Sequence, residues 1–144
     1  MKNSKKPEEI IVFPLDVSDF KEALYWVERL NGLVGVFKIG LELFTSCGPK
    51  VIKEIKKISE QKIFLDLKLY DIPNTLTKVI KVISELGVDW VTVHTLSGRS
   101  ALESVVKSAS NNLKIIAVTI LTSLDRADLM ELGFYSELTR DIKE

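Results

Sequence analysis

Cysteine is nearly absent from this 144-residue sequence. Cys47 stands alone, so no internal disulfide can form, and the chain fits a reducing compartment such as the cytoplasm. Cys47 itself reads as a small half-buried filler. Net charge is missing too: 20 Lys and Arg balance 20 Asp and Glu. That removes the electrostatic case for a nucleic-acid or membrane-surface partner. No apolar run approaches the roughly 20 residues that a bilayer-spanning helix needs. Met1 to Glu9 is polar and charged, lacks the apolar core of a signal peptide, and reads as a flexible lead-in. No Gly-x-Gly-x-x-Gly follows the first apolar run, so the dinucleotide-binding fold lacks its fingerprint. Apolar residues make up 46% of the chain and charged residues 28%, as expected of one globular domain with a real core.

What is present alternates. Ile10 to Asp16, Val34 to Gly40, Lys62 to Lys68, Asp89 to His94 and Leu113 to Leu121 read as strands. Between them lie apolar stripes at helical spacing. Ala23, Leu24, Val27 and Leu30 follow Ser18, a plausible N-cap. Val51, Ile52, Ile55 and Ile58 follow Gly48-Pro49. Leu76, Val79, Ile80 and Ile83 mark a helix from Thr75 to Leu86, and two more are expected over 100–109 and 125–132. A polar tail then runs to Glu144. Crossovers of this length suit parallel pairing. The pattern fits an open doubly wound sheet or part of a (β/α)₈ barrel. Polar residues recur at strand C-termini: Asp16, Lys38, Asp66, Lys68, His94 and Thr122. A barrel brings these ends to one mouth, which favours the barrel.

The stretch Phe64 to Thr75 concentrates the chemistry. In a strand, residues two apart share a face, so Asp66 and Lys68 project side by side while Leu65, Leu67 and Leu69 pack the other way. Such charges are costly to bury unless they are paired and used. A surface salt bridge on an edge strand is the plain alternative. Asp71 follows past the strand end, and Pro73 suits a helix start. His94, the one histidine, either lines the mouth or is a hydrogen-bonded strand-end residue.

The string Asp66-Leu67-Lys68-Leu69-Tyr70-Asp71-Ile72-Pro73-Asn74-Thr75 closely resembles the signature of the orotidine 5′-monophosphate decarboxylase family, Asp-x-Lys-x-x-Asp followed by Ile-Pro-Asn-Thr. Leu15-Asp16, Phe37-Lys38-Ile39-Gly40 and Leu121-Thr122-Ser123 resemble that family's first, second and fifth strand ends. The resemblance implies a cofactor-free, metal-free lyase of pyrimidine biosynthesis, converting orotidine 5′-monophosphate to uridine 5′-monophosphate and carbon dioxide. It implies catalytic roles for Lys68, Asp66, Asp71 and Lys38. Asp16 and Lys38 would bind ribose hydroxyls, Thr122 the base or its surroundings, and residues 66–75 would line the substrate. It also implies a homodimer in which Asp71 and Thr75 reach the neighbouring subunit's site.

A (β/α)₈ barrel takes about 250 residues, whereas this sequence supplies about five βα units. It therefore reads as the N-terminal portion of one barrel domain, without the late strands that grip phosphate in that family. Two other readings stand beside the decarboxylase. One is a Mg²⁺-dependent sugar-phosphate decarboxylase or aldolase of the same superfamily, against which Ile72-Pro73-Asn74-Thr75 argues. The other is a non-catalytic barrel fragment.

Overall fold

A computed structural model describes residues 6–134. The polar tail beyond Phe134 and most of the lead-in lie outside the described residues. Five strands form one sheet: β1 (Val12–Pro14), β2 (Val36–Gly40), β3 (Lys62–Leu69), β4 (Trp90–His94) and β5 (Lys114–Val118). Every neighbouring pair is parallel, and the spatial order is the chain order. That order decides between the two candidate architectures. A doubly wound sheet reverses its strand order at a switch point; this one never does. Right-handed crossovers in unbroken sequence put every helix on the same face of the sheet. The chain is α/β, with five consecutive βα units of the (β/α)₈ barrel type.

The helices follow as α1 (Phe20–Leu30), α2 (Leu41–Cys47), α3 (Lys50–Ile58), α4 (Pro73–Glu85), α5 (Arg99–Ser108) and α6 (Arg126–Glu131). The apolar stripes of α1, α3, α4 and α5 pack on one sheet face, with Leu43 of α2 among them. Val27, Ile52, Ile55, Leu76 and Ile80 are fully buried against Phe37, Ile39, Ile63, Leu65, Val91 and Val93. The alternate strand positions, Lys38, Phe64, Asp66, Trp90, Thr92 and His94, belong to the other face, by the period of two. There Phe64 and Trp90 meet edge to face at 5.8 Å and remain half-buried.

Two local details differ from the sequence reading. Asp19, not Ser18, caps α1: its Oδ1 accepts the Glu22 amide at 2.9 Å. The carboxylate reaches the third residue of the helix, which is where an N-cap side chain acts. The sequence pattern did not indicate α2. It buries only Leu43 and sits between Gly40 and Gly48, so no apolar stripe announces it. Ahead of β1, Pro7–Ile10 form a 3-10 turn, and the Glu9 carbonyl lies so close to Gly35 that a Cβ there would fall 2.2 Å from it.

β1 and β5 each have one strand neighbour among the described residues. On β5, Ile115, Ile116 and Val118 are half-exposed. An unpaired apolar edge is a template for another chain. A polypeptide prepared as these 144 residues alone is therefore expected to self-associate and to unfold with low cooperativity. Sedimentation velocity over a concentration series checks this; a monomer at all concentrations would contradict it.

Candidate active site

The C-terminal ends of β1, β2 and β3 bring Asp16, Lys38, Asp66 and Lys68 together. Asp66 is the centre. Its Oδ2 lies 3.0 Å from Lys68 Nζ and 3.7 Å from Lys38 Nζ. Lys38 Nζ also stands 3.9 Å from Asp16 Oδ1, so the signs alternate along the row. The four side chains differ in exposure: 13% for Asp66 and 65% for Asp16, with the lysines between. The outer pair is therefore weak, and the inner pair is the better desolvated one.

Burial pushes the Asp66 carboxyl up. The hydrogen bonds from Lys68 and Thr92, with the charges of Lys68 and Lys38, outweigh it and hold the pKa below the ordinary carboxylate value. A depressed folded-state pKa stabilises the fold above the unfolded value, about 3.9. That contribution is lost as pH falls through the lowered value.

The strand that carries the motif is not regular. Leu65 pairs with Val91 and Leu69 with Val93, so Asp66, Leu67 and Lys68 face the single residue Thr92. The excess forms a bulge, which re-aims side chains. Lys68 has φ +48°, and it is the one non-glycine residue with positive φ among those described. Left-handed backbone costs an ordinary residue about 1 kcal/mol or more and gathers at functional sites. Leu65 is fully buried with the helices, whereas Leu67 is half-buried: it packs against the same core and also lines the hollow beside Lys68.

That hollow, of about 390 Å³, is bounded by Lys68, Tyr70 and His94 on one side and by Leu121, Leu129 and Phe134 on the other. His94 is buried, and its Nδ1 accepts the Leu96 amide at 3.3 Å. It is thus a hydrogen-bonded strand-end histidine that also borders the hollow, with the Tyr70 ring 5.8 Å away.

The remaining candidates lie apart from the four charges. Asp71 is exposed, and its Oδ1 accepts the Ile72 amide at 2.7 Å. It forms no ion pair among the described residues. Pro73 is the first residue of α4, as expected; Asn74 is exposed and Thr75 half-buried in the same turn. Thr122 is exposed in the turn between β5 and α6 and does not line the hollow. Thr92 was missed by the sequence reading. It is 3% exposed, and its hydroxyl touches both members of the central pair. The available signal was its parity with His94 as a polar residue in the apolar run Trp90-Val91-Thr92-Val93-His94.

A family model described as orotidine 5′-phosphate decarboxylase / HUMPS matches residues 9–142. Among curated relatives, orotidine 5′-phosphate decarboxylase of Desulfosudis oleivorans is 39% identical over 140 residues, covering 96% of this chain and 56% of that protein. The protein of that name from Carboxydothermus hydrogenoformans is 40% identical over 139 residues, covering 92% and 58%. The chain thus spans a little over half the length of these relatives. Solved structures agree. Orotidine 5′-monophosphate decarboxylase of Methanocaldococcus jannaschii, complexed with inhibitor BMP, matches with TM-score 0.69 and 34% identity over 74% of this chain and 50% of that one. Orotidine 5′-phosphate decarboxylase of Lactobacillus acidophilus matches with TM-score 0.73 and 32% identity, over 90% and 60%.

Proposed function

The chain belongs to the orotidine 5′-phosphate decarboxylase / HUMPS family, and from that premise we propose that it supplies the catalytic strand ends of an orotidine 5′-monophosphate decarboxylase. The observation that carries this reading is the Lys68–Asp66 contact of 3.0 Å, with Lys38 at 3.7 Å on the same carboxylate oxygen.

The reaction dictates why those groups are needed. Carbon 6 of the orotate ring loses its carboxylate as carbon dioxide, and the bonding electron pair stays on carbon 6, in the ring plane. No adjacent carbonyl can take it up by conjugation. Stabilisation must come from fixed charge close to that carbon. The Lys68 ammonium supplies it and then gives carbon 6 the proton that replaces the carboxylate, leaving a neutral amine. Asp66 holds that ammonium in place and sets a negative charge near the departing carboxylate. Asp16 and Lys38 take the ribose hydroxyls, and Thr122 approaches the base. Asp71 and Thr75 belong to a site shared across a homodimer. No cofactor is required of this chemistry.

The Mg²⁺-dependent branch of the superfamily is the competing reading. Mg²⁺ is held by carboxylate oxygens with near-octahedral geometry. Here both oxygens of Asp66 are already engaged, by Lys68 on one side and Thr92 on the other. That engagement, together with Ile72-Pro73-Asn74-Thr75 after the motif, supports the decarboxylase.

The test uses a complete barrel: this chain fused to the C-terminal strands of the Desulfosudis oleivorans relative. Loss of the orotate absorbance on adding orotidine 5′-monophosphate is the expected result. Turnover should be unchanged, within twofold or so, by a chelator, because no step is assigned to a bound cation. Turnover abolished by the chelator and restored by Mg²⁺ would support the competing branch instead.

A further inference from the structure

We propose that Thr92 is a positioning residue, a clamp on β4 that sets the geometry of both Asp66 and Lys68. The inference rests on the decarboxylase reading for its catalytic consequence but not for its geometry.

The Thr92 hydroxyl accepts the Lys68 backbone amide at 2.8 Å and donates to Asp66 Oδ1 at 2.9 Å. The direction follows from chemistry: an amide can only donate, and an ionised carboxylate can only accept. One hydroxyl is thus used as acceptor and donor at once. On the carboxylate the two oxygens have different owners, Oδ1 to Thr92 and Oδ2 to Lys68 and Lys38. Two oxygens held from two directions fix the carboxylate plane. On the backbone side, the bulge puts three β3 residues opposite Thr92, so the regular ladder cannot serve Lys68. The Thr92 side chain takes that amide, which would otherwise lack a partner. It thereby holds the left-handed turn at Lys68 that aims the ammonium back along the strand onto Asp66.

The hydroxyl is isolated by comparing Thr92→Val, which keeps shape and removes hydrogen bonding, with Thr92→Ser, which keeps the hydroxyl. Thr92→Ala serves as a second deletion should the valine variant fail to fold. All are made in the complete barrel. Three readouts apply: hydrogen exchange of the Lys68 amide, the Asp66 carboxyl titration by carbon-13 NMR, and kcat with KM. The charged groups facing Asp66 are Lys38 from β2 and Lys68 from its own strand, with Asp16 reached through Lys38. None of these is altered in the variants.

In Thr92→Val, Lys68 amide exchange should speed up and the Asp66 titration should move upward. The value of kcat should fall by about 10²-fold with KM little changed, the size expected when reacting groups lose about 1 Å of placement. Thr92→Ser should restore all three. Unaltered exchange and titration in Thr92→Val would overturn the clamp, whatever the activity. Altered spectra with kcat within twofold of the parent would overturn its positioning role. If the parent barrel lacks decarboxylase activity, the functional reading falls, and the two spectroscopic measurements still decide the clamp.

Discussion

Replacing Lys68 by alanine in a complete barrel is expected to lower kcat/KM by about 10⁵-fold, roughly 7 kcal/mol of transition-state stabilisation. Two roles disappear together. Removing a preorganised electrostatic group costs about 10²–10³-fold, and removing a general acid about 10²–10⁴-fold. These losses do not simply add, because one ammonium performs both. The fold should survive. Lys68 is part-exposed, so its pair with Asp66 contributes little to stability. Alanine has the same penalty at φ +48° as lysine, so the backbone strain is unchanged. Far-ultraviolet circular dichroism and a melting curve serve as the control. Turnover within tenfold of the parent would remove Lys68 from the mechanism.

The features that the sequence makes readable are those with a period. Leu76, Ile80 and Ile83 repeat at helical spacing and are buried on α4. Phe37 and Ile39 alternate with Lys38 and do the same on β2. Strand ends are readable too, because a charged residue closing an apolar run has few structural uses. Asp66 and Lys68 were paired from spacing alone, and they do meet, but by a route that spacing does not contain. The bulge between Leu65 and Leu69 depends on how β3 is registered against β4, a tertiary fact. The double exposure of Leu67, to core and hollow, and the omission of Thr92 share that one cause. A helix as short as α2 escapes for a different reason: seven residues with one buried side chain carry no detectable period. Ser18 and Asp19 are both good caps, and only the observed bond to Glu22 separates them.

Membership of the family was legible in one string, Asp66 to Thr75, because it combines charges, a helix start and a strand end in a fixed order. What that string cannot convey is which of its residues serve the same site. In the folded chain Lys68 and Asp66 are in contact, whereas Asp71 stands exposed beyond the strand with its carboxyl turned to the Ile72 amide. The three residues of one motif therefore occupy two different environments.

Asp71 is expected to complete the site of a neighbouring subunit. Its flanking residues argue for a covered position: Tyr70 is 65% exposed and Ile72 64%. Two large apolar side chains beside an acid with no ion pair among the described residues suit an interface better than open water. If the site is shared, Lys68→Ala and Asp71→Asn will each inactivate a homodimer, through different subunits' contributions. Mixing the two inactive proteins and allowing subunit exchange yields hybrids. In each hybrid, the subunit with Lys68 intact faces a partner with Asp71 intact, so one complete site reappears. The other site lacks both residues. Equal mixing makes half the dimers hybrids, so recovery should approach about a quarter of parental activity. If instead Lys68 and Asp71 act within one chain, every site in every hybrid still lacks one of them, and recovery is nil. Native mass spectrometry of the mixture shows whether hybrids formed. Hybrids present without activity would place Asp71 on the same chain's site or outside the site altogether.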